Sequence, residues 1–585
     1  MRRTQSHCYN NTFLHILILI TISFTLRLYS FRIGTVMVSS DEIFLFEHAL
    51  KPVYALFHPS IEIIATELFR FFNFGRGWGN LFFGTIFYYF YALLGISFTE
   101  FTIHLPYIFV GTGSVLMAYI LGKEIYNKTY GFIVAFLLAI LPSHVAFSRS
   151  IGLNGISGLF YFFMTIYFFI RFFKTKKQFY KLLGYSSIAY YLMTDNQAVA
   201  IIPLLLFCSY IYSSETKQQG LVKRIYYSLR QVFSLYGFVL FIFILTPTVL
   251  GAIYLYTKGL FLHSYLNIFH SKPIVIGFYV KHLFTSFVEN IGLLFTFVIL
   301  FGFLLYIILV MLKQIKRESF IFFGWFILYT TPWLFLVVPA SYELRVYNTY
   351  SITALIFMTG YVFLFFIEWI QSFQTKKRSI AVFFYFLLTI SSFLFLFHTI
   401  VIISSVVYHQ DFFEINMPAP VFGRAEENTG IKTLGYYVRE HTAENSTIFV
   451  DVESFVGQYY FNRTIIGDLD LTSEQIYEQL LAELSITETS KENNELVNKL
   501  PFEYAFVTSS HFALLGHVLE HNGYEVIATA VNSDGKILAR LYSFINNGEI
   551  TQMDGSTTLL LPTEKYDKLF NLVYGNLESV YIDYG

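Results

Sequence analysis

The chain runs to 585 residues, 55% of them hydrophobic and only 13% charged, with 39 basic against 39 acidic side chains. Soluble domains carry about 25% charged residues, so a soluble globular protein is excluded, and a zero charge balance gives no footing for a nucleic-acid partner. The two cysteines, Cys8 and Cys208, are too few for a disulfide framework or a cysteine metal site.

The first apolar run spans 13–29, follows Arg2 and Arg3, and has no small-residue cleavage site after it. It reads as a retained first span that enters from the cytoplasmic side and delivers Ser39-Ser40-Asp41-Glu42 to the outer side. Two adjacent carboxylates at the mouth of a membrane bundle are costly to desolvate. They are either a solvated loop or a catalytic base facing a lipid-borne substrate. The segment 81–97 is apolar enough to cross. Counting it as a span would put every later basic cluster outside, so it is placed as an interfacial helix, with Tyr88, Tyr89 and Tyr91 at headgroup level.

Five basic clusters set the remaining topology: Lys123 and Lys128; Arg171 to Lys181; Lys217 to Arg230; Lys313 to Arg317; and Lys376 to Arg378. All five are expected inside. The spans then fall at 13–30, 104–122, 131–147, 156–173, 182–194, 198–212, 232–252, 289–312, 320–339, 349–371 and 380–407. The predicted fold class is a polytopic α-helical membrane protein of about eleven transmembrane helices with outer juxtamembrane helices. Its N-terminus is inside, and a small C-terminal α/β domain is outside.

The membrane domain covers 1–408, with an outer loop at 31–103. A linker marked by Pro418 and Pro420 occupies 409–429. Over 430–546 strand patterns at 447–452, 464–467 and 504–508 alternate with helix patterns at 433–441, 473–484 and 510–521. A hairpin pattern at 526–529 and 537–544 completes a small α/β domain. The tail 547–585 carries one apolar run at 557–561. No internal repeat, metal-ligand spacing or phosphate-cradling glycine loop is evident.

Three cationic positions emerge on the expected outer side. Arg149 lies in the turn Ser148-Arg149-Ser150-Ile151-Gly152-Leu153-Asn154. Arg345 lies in Ser341-Tyr342-Glu343-Leu344-Arg345-Val346-Tyr347-Asn348. Lys272 lies in the 253–288 loop with Lys258, Lys281 and His282. Each is either an interfacial anchor or local ion pair, or the partner of a phosphate in the same cavity; guanidinium suits the second role because it stays charged and presents a fork of donors.

A first span, an outer Asp-Glu and a long loop with juxtamembrane helices resemble the GT-C glycosyltransferases, in particular the protein O-mannosyltransferase group and the aminoarabinose transferase of lipid A. The stretch from Gly95 to Pro106 is similar to that group's entry into its second span. Tyr119 to Tyr126 is similar to the exit, and Ser148 to Asn154 to its Ser-Arg-x-Ile-Leu-Leu-Asp stretch. The likeness is good from 13 to about 210 and thin afterwards, apart from the Arg345 loop. Departures are Asn154 where the group has Asp, Phe44 and Leu45 where it often has Tyr, and no carboxylate near Asn80. The Trp-Trp-Asp signature of oligosaccharyltransferases is absent.

The resemblance implies transfer of one sugar from a polyprenyl-phosphate donor to a protein, lipid or glycan acceptor on the outer membrane face. Asp41 is then the general base and Glu42 an orienting partner. Arg345, Arg149 and Lys272 are candidates for the donor phosphate, and Asn154 and Tyr347 for the acceptor. The resemblance fixes no cofactor and leaves a divalent cation open. The partners are the bilayer, the donor and the acceptor. The alternatives are a transporter or flippase, or a polymerase of lipid-linked polysaccharide. The first calls for ionisable groups along a pathway, the second for a large outer loop late in the chain.

Overall fold

The computed structural model describes residues 2–28, 40–57, 60–72, 78–96, 98, 100–148, 151, 156–194, 198, 200–212, 221–234, 291–336, 343–374, 430–451, 460–466, 502–509, 515–516, 519–520, 523–531, 537–544 and 557–560, with isolated positions in 237–257 and 379–397. It divides into two compact units. One comprises Met1–Ser30, Leu45–Phe98 and Thr102–Pro418; the other comprises Phe31–Phe44, Thr99–Phe101 and Ala419–Gly585.

The first unit is helical. Its helices are α1 (Arg2–Leu28), α2 (Ser40–Phe57, entered from the other unit), α3 (Ile61–Phe72), α4 (Phe82–Leu94), α5 (Glu100–Ile125), α6 (Lys128–Ala139), α7 (Pro142–Phe147), α8 (Ile156–Thr175), α9 (Gln178–Leu192), α10 (Ile201–Tyr212), α11 (Leu221–Val232), α12 (Leu293–Met311), α13 (Phe320–Leu336) and α14 (Glu343–Gln374). Among the described residues, four segments are long and apolar enough to cross a membrane: Phe101–Ile125, Ile156–Thr175, Leu293–Met311 and Thr349–Gln371. Shorter apolar helices occupy Thr12–Leu28, Phe82–Leu94, Lys128–Ala139 and Ile201–Tyr212.

In lipid there is little hydrophobic drive between helices, so close contact depends on small residues. Gly122 of α5 and Gly131 of α6 meet backbone to backbone: a Cβ on Gly122 would lie 2.8 Å from the Gly131 Cα, and one on Gly131 would lie 2.5 Å from the Tyr119 carbonyl. The expected span 131–147 is two helices, broken at Leu141 before Pro142, because proline disfavours helical backbone in the residue before it. The expected outer loop at 341–348 is helical from Glu343 onward.

Four of the five basic clusters converge at one end of the bundle. Arg171 and Lys174 grip Glu124 at 3.1 and 3.0 Å. Lys174 lies over Tyr212, Lys176 over Tyr227 and Lys316 over Tyr126. Arg224 and Arg317 both cover Tyr210, and Arg317 donates to the Tyr210 carbonyl at 3.1 Å. Each cation rests its charge on a ring face, an arrangement worth about 0.5–1 kcal/mol where exposed. The fifth cluster, 376–378, lies outside the described residues.

The second unit holds a six-stranded sheet in the order β2-β1-β3-β5-β4-β6. The strands are β1 (Thr447–Val450), β2 (Thr464–Ile466), β3 (Tyr504–Thr508), β4 (Tyr524–Val531), β5 (Ile537–Phe544) and β6 (Thr557–Leu560), and one helix, α15 (Ile431–His441), precedes them. β1 runs parallel to β2 and β3, β5 is antiparallel to β3 and β4, and β6 pairs parallel with β4. β6 arises from the apolar run at 557–561. The helix pattern expected at 473–484 lies outside the described residues.

Arg463 closes the C-terminus of α15. Its guanidinium donates to the carbonyls of Arg439 at 3.0 Å and Thr442 at 2.8 Å and to the Thr442 hydroxyl at 3.1 Å, placing a buried cation where the helix dipole is negative. The Asp451 carboxylate accepts the Thr508 amide and hydroxyl, both at 2.7 Å, and ties β1 to β3. Tyr524 donates to the Phe502 carbonyl at 2.6 Å. Burial, aided by the charge of Glu503, pushes its hydroxyl well above the ordinary tyrosine range, so it remains a donor.

Candidate active site

Asp41 and Glu42 occupy the first turn of α2, not an irregular loop. Acidic residues are favoured there because the unpaired amides of a helix start carry partial positive charge. The helix is held from one turn further on. Leu45, Phe46, Ala49 and Val53 are buried along one face, at the spacing an amphipathic helix uses. Phe46 meets Tyr88 of α4 edge-on at 5.2 Å, and the Thr85 hydroxyl donates to the Ala49 carbonyl at 3.0 Å. α4 is fixed in turn on α5, where the Tyr88 hydroxyl donates to the Ile103 carbonyl at 2.6 Å.

A short turn at Trp78–Asn80 anchors the start of this layer. Trp78 is walled by Phe72, Phe82 and Tyr190. The Gly79 amide donates to the Met193 carbonyl at 3.0 Å, and the Asn80 side-chain amide donates to the Thr194 carbonyl at 2.6 Å. Asn80, where the resemblance would allow a carboxylate, is therefore a structural clamp on the end of α9.

Arg345 and Tyr347 lie in the first turns of α14. The described part of that helix is anchored just beyond them: Tyr350 is fully buried and stacks on Tyr329 of α13 at 5.1 Å, and Tyr329 meets the Tyr191 hydroxyl of α9 at 3.1 Å. The side chains of Asp41, Glu42, Arg345 and Tyr347, and Arg149, Asn154 and Lys272 entirely, lie outside the described residues. Ser148, the residue before Arg149, is buried and donates to the His144 carbonyl.

One buried cation was not singled out from the sequence. Arg27, in the last turn of α1, is fully buried. Its Nη1 donates to the Ser23 carbonyl and hydroxyl, both at 2.7 Å, and its Nη2 meets His144 Nδ1. Guanidinium can only donate, so Nδ1 accepts and the neutral ring carries its proton on Nε2. That proton goes to the Ser114 hydroxyl at 2.8 Å, and Ser114 donates to the Gly111 carbonyl at 2.8 Å. Every bond in the chain thus has a defined direction from α1 through α7 to α5.

Gly111 makes the approach feasible, since a Cβ there would overlap the Ser148 side chain and sit 3.1 Å from Arg27 Nε. That Nε has no hydrogen-bond partner among the described residues. The legible signal was an ionisable residue near the end of each of two apolar runs, Arg27 and His144, a placement that is rare in membrane spans without a purpose. Replacing His144 by Leu should cost about 3 kcal/mol or more, because it removes one acceptor of a buried cation. His144→Gln, whose amide can accept from Arg27 and donate to Ser114, should restore most of the loss. Thermal unfolding in detergent reads the difference; equal midpoints for all three proteins would remove the cluster's structural role.

No group of three or more His, Cys, Asp or Glu is placed to hold a metal ion among the described residues. No family model and no curated protein matches the sequence. Solved structures do. ArnT from Cupriavidus metallidurans bound to undecaprenyl phosphate superposes with a TM-score of 0.52 at 12% identity, over 90% of this chain and 97% of that one. Its apo state gives 0.51 at 13% identity over the same shares. This chain has the GT-C fold.

The archaeal oligosaccharyltransferase AglB from Archaeoglobus fulgidus, in complex with an inhibitory peptide and a dolichol-phosphate, matches at 0.49 and 13% identity, over 93% of this chain and 75% of that one. The likeness to ArnT extends over nine-tenths of the chain. The four segments long and apolar enough to cross a membrane, among the described residues, are what mark the chain as a polytopic membrane protein.

Proposed function

We propose that this GT-C chain is an integral membrane glycosyltransferase that moves one sugar from a polyprenyl-phosphate donor to a hydroxyl or amine of a protein, lipid or glycan on the outer membrane face. The observation that carries the reading is the fold shared over 90% of the chain with ArnT, a protein solved with undecaprenyl phosphate bound. The Asp-Glu pair on the helix that follows the first span supports it.

In the proposed reaction the acceptor oxygen or nitrogen attacks the anomeric carbon from the face opposite the phosphate. The bond from that carbon to the phosphate oxygen breaks, the electron pair leaves with the phosphate, and the configuration inverts. The acceptor is a weak nucleophile, and Asp41 takes its proton; Glu42 orients the acceptor or the turn. Arg345 neutralises the leaving phosphate, with Arg149 and Lys272 as further cations. Asn154 and Tyr347 contact the acceptor, and a divalent cation can assist at the phosphate. The basic end of the bundle faces the cytoplasm, and the sheet-bearing unit lies outside.

A transporter would need ionisable groups along its path; among the described residues of the helical unit the buried ones are Arg27, His104 and His144, and none of them is a carboxylate. The deciding experiment supplies radiolabelled polyprenyl-phosphate sugar and acceptor extract to purified protein in sealed vesicles. Their orientation is scored with an impermeant thiol reagent on Ser533→Cys and Ser214→Cys variants in a Cys8→Ser background. Label in a new, larger or more polar product, formed on the side where Ser533→Cys reacts, is expected. Label that crosses the bilayer still attached to its carrier, with no new product, would make the chain a transporter.

A further inference from the structure

α11 has three faces that do not serve the proposed chemistry. Ser228, Gln231 and Val232 are buried, and this face docks on the bundle. Gln231 accepts from the Ser209 hydroxyl at 3.0 Å, and the Val232 carbonyl accepts from Tyr185 at 2.6 Å. Beside it runs an exposed apolar stripe of Val222 (80% exposed), Ile225, Tyr226 (67%) and Leu229, continued by Phe233 just past the helix end. Their spacing of three, four, seven and eleven residues from Val222 keeps all five on one side of a helix.

Lys223 and Arg230 are exposed and lie together about a quarter turn from the centre of the stripe. They form no ion pair among the described residues, and the helix sequence contains no acidic residue. Most of the neighbouring charge is of the same sign: Lys176 stands over Tyr227, and Arg224 and Arg317 crowd Tyr210, while Glu318 lies on the Tyr212 side, next to Arg317. The nearby Glu124 is taken up by Arg171 and Lys174. A water-facing helix would not expose five large apolar side chains in a row, and a span would not carry two cations that lack an acidic partner among the described residues. A helix apolar on one side and basic on the next matches a boundary between acyl chains and anionic headgroups.

We propose that α11 is a lipid-binding element that lies in the membrane interface at the basic end of the bundle, with its stripe among acyl chains and with Lys223 and Arg230 selecting anionic phospholipid headgroups. The inference rests on the chain spanning a membrane and is independent of whether it transfers a sugar.

The test places a tryptophan in the stripe, Tyr226→Trp, with Ile225→Trp as an independent second position. Each full-length protein is purified into nanodiscs, and the unsubstituted protein serves as the fluorescence blank. Brominated phosphatidylcholine and brominated phosphatidylglycerol are compared as quenchers at equal mole fraction. Quenching by both is expected, with phosphatidylglycerol stronger by at least about twofold. Adding Lys223→Gln and Arg230→Gln should abolish that preference while quenching by phosphatidylcholine persists. Equal quenching by the two lipids before those changes would overturn headgroup selection. No quenching by either lipid at both positions would mean that protein, a second copy or a partner, covers the stripe, and would overturn the proposal outright.

Discussion

Asp41→Asn should abolish sugar transfer, lowering the turnover number by about 10²–10⁴-fold, the range of a general base, while leaving the KM for the donor within a few-fold of the wild type. The exchange keeps size and shape but replaces a carboxylate by an amide that takes no proton at neutral pH. It should also leave the fold in place, because losing a negative charge from the first turn forfeits only about 0.3–1 kcal/mol of helix-dipole stabilisation and α2 is held from Leu45 onward by α4. Glu42→Gln should cost less, since its proposed role is orientation. Initial rates with labelled donor decide the matter. An Asp41→Asn enzyme within a few-fold of wild-type turnover would move the base to Glu42.

The second large effect is expected at Arg345. Arg345→Ala should cost about 2–4 kcal/mol of transition-state stabilisation, as when one charge-stabilising group is removed. Arg345→Lys should retain partial activity, because it keeps the charge and loses the planar fork. The physical ground is its place in the first turn of α14. A cation there opposes the helix dipole by about 0.3–1 kcal/mol, and an anionic ligand would relieve that opposition. The helix is anchored a turn further on by Tyr350 against Tyr329, so the substitution should act on turnover and not on folding. Wild-type turnover of Arg345→Ala, measured beside an unchanged melting midpoint, would hand the phosphate to Arg149 or Lys272.

How far the sequence could be read depended on how local each signal was. β1, β2 and β3 were readable because short apolar runs bounded by polar residues identify buried strands without knowledge of their neighbours, and β4 and β5 because the turn residues between them mark a hairpin. β6 was not placed in the sheet: a run of Thr557 to Leu560 acquires meaning only when β4, some thirty residues earlier, is known to lie beside it. The Leu141–Pro142 break vanished inside a hydropathy window that averages over it, and Glu343 and Arg345 read as loop because charge outweighed helix propensity in the reading. The position of Asp41 and Glu42 after the first span was plain, but their standing on a helix was not. Arg27 and His144 were both visible as isolated ionisable residues. What could not be read was that 117 positions of sequence separation close to one hydrogen bond.

The pairing of β6 with β4 has a consequence for how the protein is made. Among the described residues, 528–531 of β4 find their outer neighbour only in 557–560. During synthesis at about 5–20 residues per second, β4 can already pair with β5 while its other side has no neighbour. An uncovered strand of this kind is a template for another chain. When β6 docks, the open edge passes from the eight residues of β4 to the four residues of β6, and a short edge strand is a poorer template. A chain terminated and released between residues 545 and 557 would keep the longer edge of β4 open, although five of the six described strands had already been made.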